Sequence, residues 1–301
     1  MEKEVFEIIN ERGPLTGSEL IKETGRDGMS LWRTCRLSSR LLIKTVGCDY
    51  LRLDRRVDGF ARLSPSILRG FLTYSVVGTK KDPLLLEQRA GELNDQIETI
   101  SRSKMDICYR LISAISGQIG IGSYSDLRAC FFLGGDIVYN MAHDVERPER
   151  STGKMVRGSD MDLVVVADDL FPEDLLKRLD DALYREKYRI LISPYMREEL
   201  DYVVKRVEKV RRQVLFDSFR HMVACKILQE SRLLKGDDRL FRDIRELLKK
   251  NGVSDRLKEL EKRARSFRSR AEEYLLKEGP ECVKEDCLNL FYPSEESEEF
   301  E

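Results

Sequence analysis

Histidine is almost absent from this chain. With only His143 and His221 among 301 residues, a zinc centre built on imidazole is not expected. The cysteines offer no substitute. There are seven, an odd number, at 35, 48, 108, 130, 225, 282 and 287, with no CxxC pair. That usage suits reduced structural thiols in a cytoplasmic protein rather than a disulfide framework. No apolar run approaches the roughly 18 residues of a membrane span, so no membrane partner is expected. The opening MEKEVFEIINERG is acidic and amphipathic, unlike a signal peptide. Neither sign of charge dominates: 53 Lys and Arg stand against 54 Asp and Glu, a net charge of −1. Any nucleic-acid contact therefore has to be a local patch.

The most informative stretch runs from Arg128 to Asp169. The apolar run Ala129 to Leu133 is too short for a helix and closes on Gly134-Gly135, which reads as a buried strand and a turn. Ile137, Val138, Met141 and Ala142 then fall at helical spacing, predicting a helix from Asp136 to Met141. A polar insert from His143 to Arg157 carries Arg147, Arg150, Lys154 and Arg157 among acids; a mobile charged loop is the expectation there, and the alternative is that one or more of these bases meets triphosphate or an acceptor. Its Thr152-Gly153-Lys154 is no P-loop, because Pro148 stands where a glycine is required and Met155 where Ser or Thr is. A second strand, Ser159-Asp160-Met161-Asp162-Leu163-Val164-Val165-Val166, follows. Its alternation points Asp160 and Asp162 to one face. Two carboxylates beside a Gly-Gly turn suit Mg²⁺ and the phosphates that accompany it.

The Gly-Gly turn after a strand, followed by SDMDL on the next strand, resembles the DNA-polymerase-β-like nucleotidyltransferase superfamily, over roughly residues 127 to 205. The resemblance implies a small mixed sheet with a glycine pair cradling a nucleoside triphosphate. It also implies three carboxylates binding two Mg²⁺ ions, with Mn²⁺ as a substitute. Carried over by position, Gly134, Gly135 and Ser159 meet the nucleotide, and Asp160 and Asp162 are metal ligands. Asp201, opening the β-branched run Leu200 to Lys205, is the third catalytic carboxylate. The rival reading of Met196 to Val210 is a helix with Asp201 on its surface. Lys205 and Lys226 are expected to reach phosphate, and Arg232, Asp237 and Asp238 to face the cleft. The departure from the family is the gap of 24 residues (136–159) between the glycines and Asp160, longer than the family's usual spacing.

The N-terminal region reads as a winged helix-turn-helix. Val5, Ile8 and Ile9 mark one helix, Thr16 to Glu19 a capping box for a second, and residues 30–43 a third. Asp49 to Asp54 and Gly59 to Ser64 form a two-stranded ribbon. Residues 1–28 hold seven acids and four bases, whereas residues 29–56 hold seven bases and two acids. Arg33, Arg36 and Arg40 share a helix side, with Arg55 and Arg56 in the wing, so DNA or RNA is the expected partner of this patch. A protein-binding spacer is the competing reading.

The fold expected is α+β: a winged helix (1–78), a helical connector (79–117) that is one helix or a pair broken near Gly91, and a nucleotidyltransferase-like mixed-sheet core (118–212). A C-terminal helical subdomain (213–292) and a disordered acidic tail (293–301) follow. Tyr188 to Ser193 reads as a further strand, and everything beyond Phe216 as helical. Residues 84–301 are expected to fold without the first 75. The expected function is Mg²⁺-dependent transfer of NMP from a nucleoside triphosphate to an acceptor hydroxyl, with the acceptor left unspecified and a homodimer as a further expectation. The alternative is a DNA-binding regulator whose nucleotidyltransferase-like domain is inactive or only senses nucleotide.

Overall fold

In the computed structural model the described residues are 1–120, 128–149, 151–278 and 284–292. Gly122, Arg150, Cys282 and the acidic tail lie outside them. The architecture is mixed α and β, and the chain divides into two compact units. Of the described residues, one unit combines 1–96 with 258–278 and 284–292, and the other holds those within 97–257.

In the first unit, α1 (Glu2–Arg12), β1 (Leu15–Thr16), α2 (Gly17–Thr24) and α3 (Gly28–Leu37) lead to β2 (Leu41–Thr45), β3 (Tyr50–Leu53) and β4 (Ala61–Ser64). These are followed by α4 (Ile67–Thr73) and β5 (Ser75–Thr79). The capping box forms as the sequence implies: Thr16 accepts from the Glu19 amide while Glu19 accepts from the Thr16 amide. β3 and β4 pair as the expected ribbon. A separate three-stranded sheet, β1-β5-β2, was not anticipated.

The core of this unit joins Val5, Ile9, Leu20, Leu31, Trp32, Leu41, Phe71 and Val77 to Ala271, Leu275 and Phe291. Those last three come from α10 (Val253–Lys277) and α11 (Glu285–Phe291). Two expectations change as a result. Residues 213–292 are not one subdomain, and residues 84–301 without the first 75 would leave Leu275 and Phe291, both fully buried, without their partners.

The connector is one helix, α5 (Pro83–Ile119), which passes through Gly91 without a break. In the second unit β6 (Ala129–Gly134) leads into a 3₁₀ turn (Gly135–Tyr139) rather than the expected α-helix. β7 (Glu146–Pro148), β8 (Met155–Arg157) and β9 (Met161–Ala167) come next. Then follow α6 (Glu173–Ile192), β10 (Leu200–Arg206), α7 (Val207–Gln213), α8 (Phe219–Glu230), β11 (Arg232–Gly236) and α9 (Asp238–Lys250). The sheet order is β10-β9-β6-β11. β9 runs parallel to β10 and antiparallel to β6, which is antiparallel to β11.

Two elements correct the sequence reading. Tyr188 to Ile192 is the last turn of α6, not a strand. A parallel β9–β10 pair needs a long crossover, and Leu179, Ala182, Leu183, Ile190 and Leu191 give that crossover one continuous buried face. β11 interrupts the expected helical region as an edge strand on β6. One sheet face packs Ala129, Phe131, Leu133, Met161, Leu163, Val165 and Leu200 into a core with Ile112, Ile115, Leu179 and Leu183. Alternation then sends Asp162 and Asp201 to the opposite face.

Candidate active site

The candidate site lies where β6 ends and β9 and β10 begin. In the ladder, Asp162 stands directly beside Gly134 on β6 and Asp201 on β10. Neighbouring strands are about 4.8 Å apart, so these three residues form one row across three strands. Asp201 is therefore on a strand, and the helical reading of this segment does not hold. Asp160 precedes Asp162 by two residues, and both are half-buried while Met161 and Leu163 between and beyond them are fully buried.

Gly135 makes the close approach possible. Its φ is +70°, and a Cβ placed there would overlap the Asp162 Oδ2 atom. Glycine alone permits both the left-handed backbone and the carboxylate at that distance. Gly134 is extended, and a Cβ there would press on Ile227 Cγ2 at 3.2 Å.

The polar insert carries a short hairpin. β7 and β8 pair over residues 146–148 and 155–157. Glu149 closes the turn by accepting from the amides and hydroxyls of Ser151 and Thr152. These donors hold its carboxyl at about 2 although burial opposes them. At the neck, Ser159 N donates to His143 O (3.0 Å) and His143 N donates to Ser159 Oγ (3.2 Å). Gly158, at φ +57°, keeps a Cβ out of the His143 carbonyl.

Arg147 of β7 joins the hairpin to the carboxylates. Its Nε donates to Gly158 O (2.8 Å), Nη1 stands 2.8 Å from Glu199 Oε2, and Nη2 lies 3.8 Å from Asp160 Oδ1. The Glu199 contact is an ion pair by distance only, since Oε2 is buried without an aligned hydrogen bond. Burial raises the Glu199 carboxyl to about 7; Arg147 opposes the shift, and Asp160 and Asp201 add to it. Its neighbour Glu198 is paired with Lys104, which also donates to Arg157 O (2.8 Å). Burial raises the Glu198 carboxyl as well.

Several expected residues are engaged elsewhere. Ser159 is buried and donates to Asp136 Oδ2 (2.6 Å), so its hydroxyl proton is already engaged. Lys205 shares a strand face with Asp201 but lies four residues further along β10, about 13 Å away. It is buried, donates to Gln213 Oε1 (2.8 Å), and burial lowers its pKa to about 7. Lys226 forms a buried pair with Glu230 (2.9 Å). Glu230 also accepts from Tyr139 Oη (2.8 Å) and, at 3.4 Å, from the Gly135 amide. Asp237 caps α9 through the Arg239 and Leu240 amides. Sequence reading named Arg147 only as one of four bases in the insert, and it missed Asp136, Glu199 and Glu230. Only Glu230 carried a local signal, its i,i+4 spacing from Lys226.

Among the described residues no three His, Cys, Asp or Glu side chains converge as a metal cage. Asp201 instead receives Lys187 Nζ at 2.7 Å. The arginine patch belongs to the other unit, and it too is engaged. Arg33 donates to Glu278 O, Arg36 lies 3.6 Å from Glu272, and Arg40 pairs with Glu2 (3.4 Å) and covers the Phe6 ring. Arg56 pairs with Asp54 (3.2 Å), and Arg55 is exposed in the ribbon turn. Compared with protein-family models, curated proteins and solved structures, the chain matches none.

Proposed function

We propose that this protein is a nucleotidyltransferase moving an NMP from a nucleoside triphosphate to an acceptor hydroxyl. The observation that carries the reading is the row Gly134–Asp162–Asp201, with Asp162 seated against Gly135. Mg²⁺ is commonly held by one or two carboxylates plus substrate phosphates rather than by a protein cage. Asp160 and Asp162 fit that donor set, and the space that a Cβ on Gly135 would fill keeps the Asp162 carboxylate in place. The residues do not fit a second ion, because Asp201 already holds a lysine. Bound at Asp160 and Asp162, Mg²⁺ would neutralise triphosphate charge.

In the reaction the acceptor oxygen forms a bond to the α-phosphorus. The bond from that phosphorus to the bridging oxygen breaks, and pyrophosphate leaves. Asp201, at the acceptor side of the row, takes the hydroxyl proton and passes it to water. Incubation with α-³²P-labelled NTPs, Mg²⁺ and tRNA, protein or small-molecule acceptors tests this reading. Label transfer lost in Asp162→Asn supports it, and transfer undiminished in that variant overturns it. A DNA-binding regulator has less support, since Arg33, Arg36 and Arg40 already have partners within their own unit.

A further inference from the structure

We infer that Lys187 is a built-in cation standing in place of a second metal, so that the site takes one divalent ion. This rests on the nucleotidyltransferase reading above and narrows it. Asp162 and Asp201 are ladder partners and Asp160 lies two residues before Asp162, so three carboxylates stand at one end of the sheet and their repulsion has to be countered. Two protein cations already sit beside this row: Arg147 faces Asp160 at 3.8 Å, and Lys187 Nζ reaches Asp201 Oδ1 at 2.7 Å.

The position of Lys187 follows from the crossover. α6 links β9 to β10, and its buried residues Leu183, Ile190 and Leu191 fix the rotation of the helix around Lys187. Both partners are about one-third exposed, at 34 % and 30 %, so the pair borders solvent where an acceptor can reach it. A second Mg²⁺ on Asp201 would have to displace an ammonium already in ion-pair contact. The ammonium has three donors, enough to hold Asp201 and still meet an acceptor oxygen. Asp201 then takes the acceptor proton without a metal of its own, as the bond to the α-phosphorus forms and pyrophosphate leaves.

Mn²⁺ is the probe. The full chain is titrated with Mn²⁺ in the presence of a nonhydrolysable NTP, and bound ions are counted by electron paramagnetic resonance. One ion per chain is expected in the native protein and in Lys187→Arg, and two in Lys187→Met, where Asp201 loses its cation. Circular dichroism on each variant establishes that the fold persists. Two ions in the native protein, or one in Lys187→Met, overturns the role of Lys187. No ion in any of the three proteins overturns the metal-dependent reading itself.

Discussion

The basic side of α3 and the acidic end of β9 begin alike, as like charges gathered on one face of one element, yet they are balanced differently. Arg33 and Arg36 of α3 and Arg40 just after it meet groups from their own unit: the Glu278 carbonyl, Glu272 and Glu2. Behind them Trp32 packs edge-on against Phe291 at 5.4 Å, so α3 serves as a docking face for the chain's own C-terminal helices. The carboxylates of β9 and β10 instead share a row, with a glycine holding space beside them, Arg147 facing Asp160 and Lys187 facing Asp201. A charge pattern in a sequence therefore reports a charged face. Whether that face is available to a ligand depends on what the fold brings opposite it.

The sharpest way to break this comparison is at the row. Asp162→Asn keeps the shape and removes a charge, and it should weaken Mg²⁺–NTP binding by about 100-fold or more while the apo fold persists. Gly135→Ala should do the same by displacing the Asp162 carboxylate, with a backbone cost of about 1–2 kcal/mol for φ +70°. Calorimetric titration measures the binding, and unchanged affinity in both variants would remove the row from the site.

On the other side of the comparison, Phe291→Ala should destabilise the first unit by about 3–5 kcal/mol, as for other buried aromatic truncations. Denaturant unfolding followed by Trp32 fluorescence reports it directly, since the two rings touch. A loss below about 1 kcal/mol would mean that α11 is not part of that core.

Smaller effects come from titration. Glu199 keeps its proton up to about pH 7 when folded, against an ordinary value of 4.5. The folded state then binds more protons, so this residue makes stability fall as pH rises from about 4.5 to about 7. Lys205 is lowered from 10.5 to about 7, so the unfolded chain binds more protons and stability rises with pH between those values. Glu199→Gln should flatten the first slope and Lys205→Met the second, both read from melting temperature against pH. Slopes identical to those of the native protein would show that neither group is held as its burial implies.

The smallest effect is expected at α3. Changing Arg33, Arg36 and Arg40 together to Glu should cost no more than about 2 kcal/mol, since exposed pairs contribute about 0–1 kcal/mol each. It should leave any affinity for a duplex DNA or RNA probe unaltered. Loss of a salt-dependent affinity in this variant would instead make α3 a nucleic-acid face.

Much of the architecture could be read locally. The capping box at Thr16, the β3–β4 ribbon and the strand through Asp162 follow from short-range rules: a hydroxyl three residues before a glutamate, turn residues between apolar runs, and period-two alternation. The pairing of Asp160 with Asp162 on one face, and the need for glycine beside them, also belong to the sequence, because both follow from strand geometry and the absence of a Cβ. Tertiary structure decided the rest. Tyr188 to Ile192 is β-branched enough to pass for a strand, but a parallel pair needs a crossover and the buried face of α6 continues through it. Arg232 to Gly236 has no alternation to mark it, and it becomes a strand only because β6 offers an unpaired edge. Lys187 lies 14 residues before Asp201 and Arg147 lies 13 before Asp160 in the chain, with no local rule linking either pair. Only the folding of a crossover helix and a hairpin onto the same sheet end sets those cations against those carboxylates. The charges were in the sequence, but long-range packing determined which of them neutralise one another.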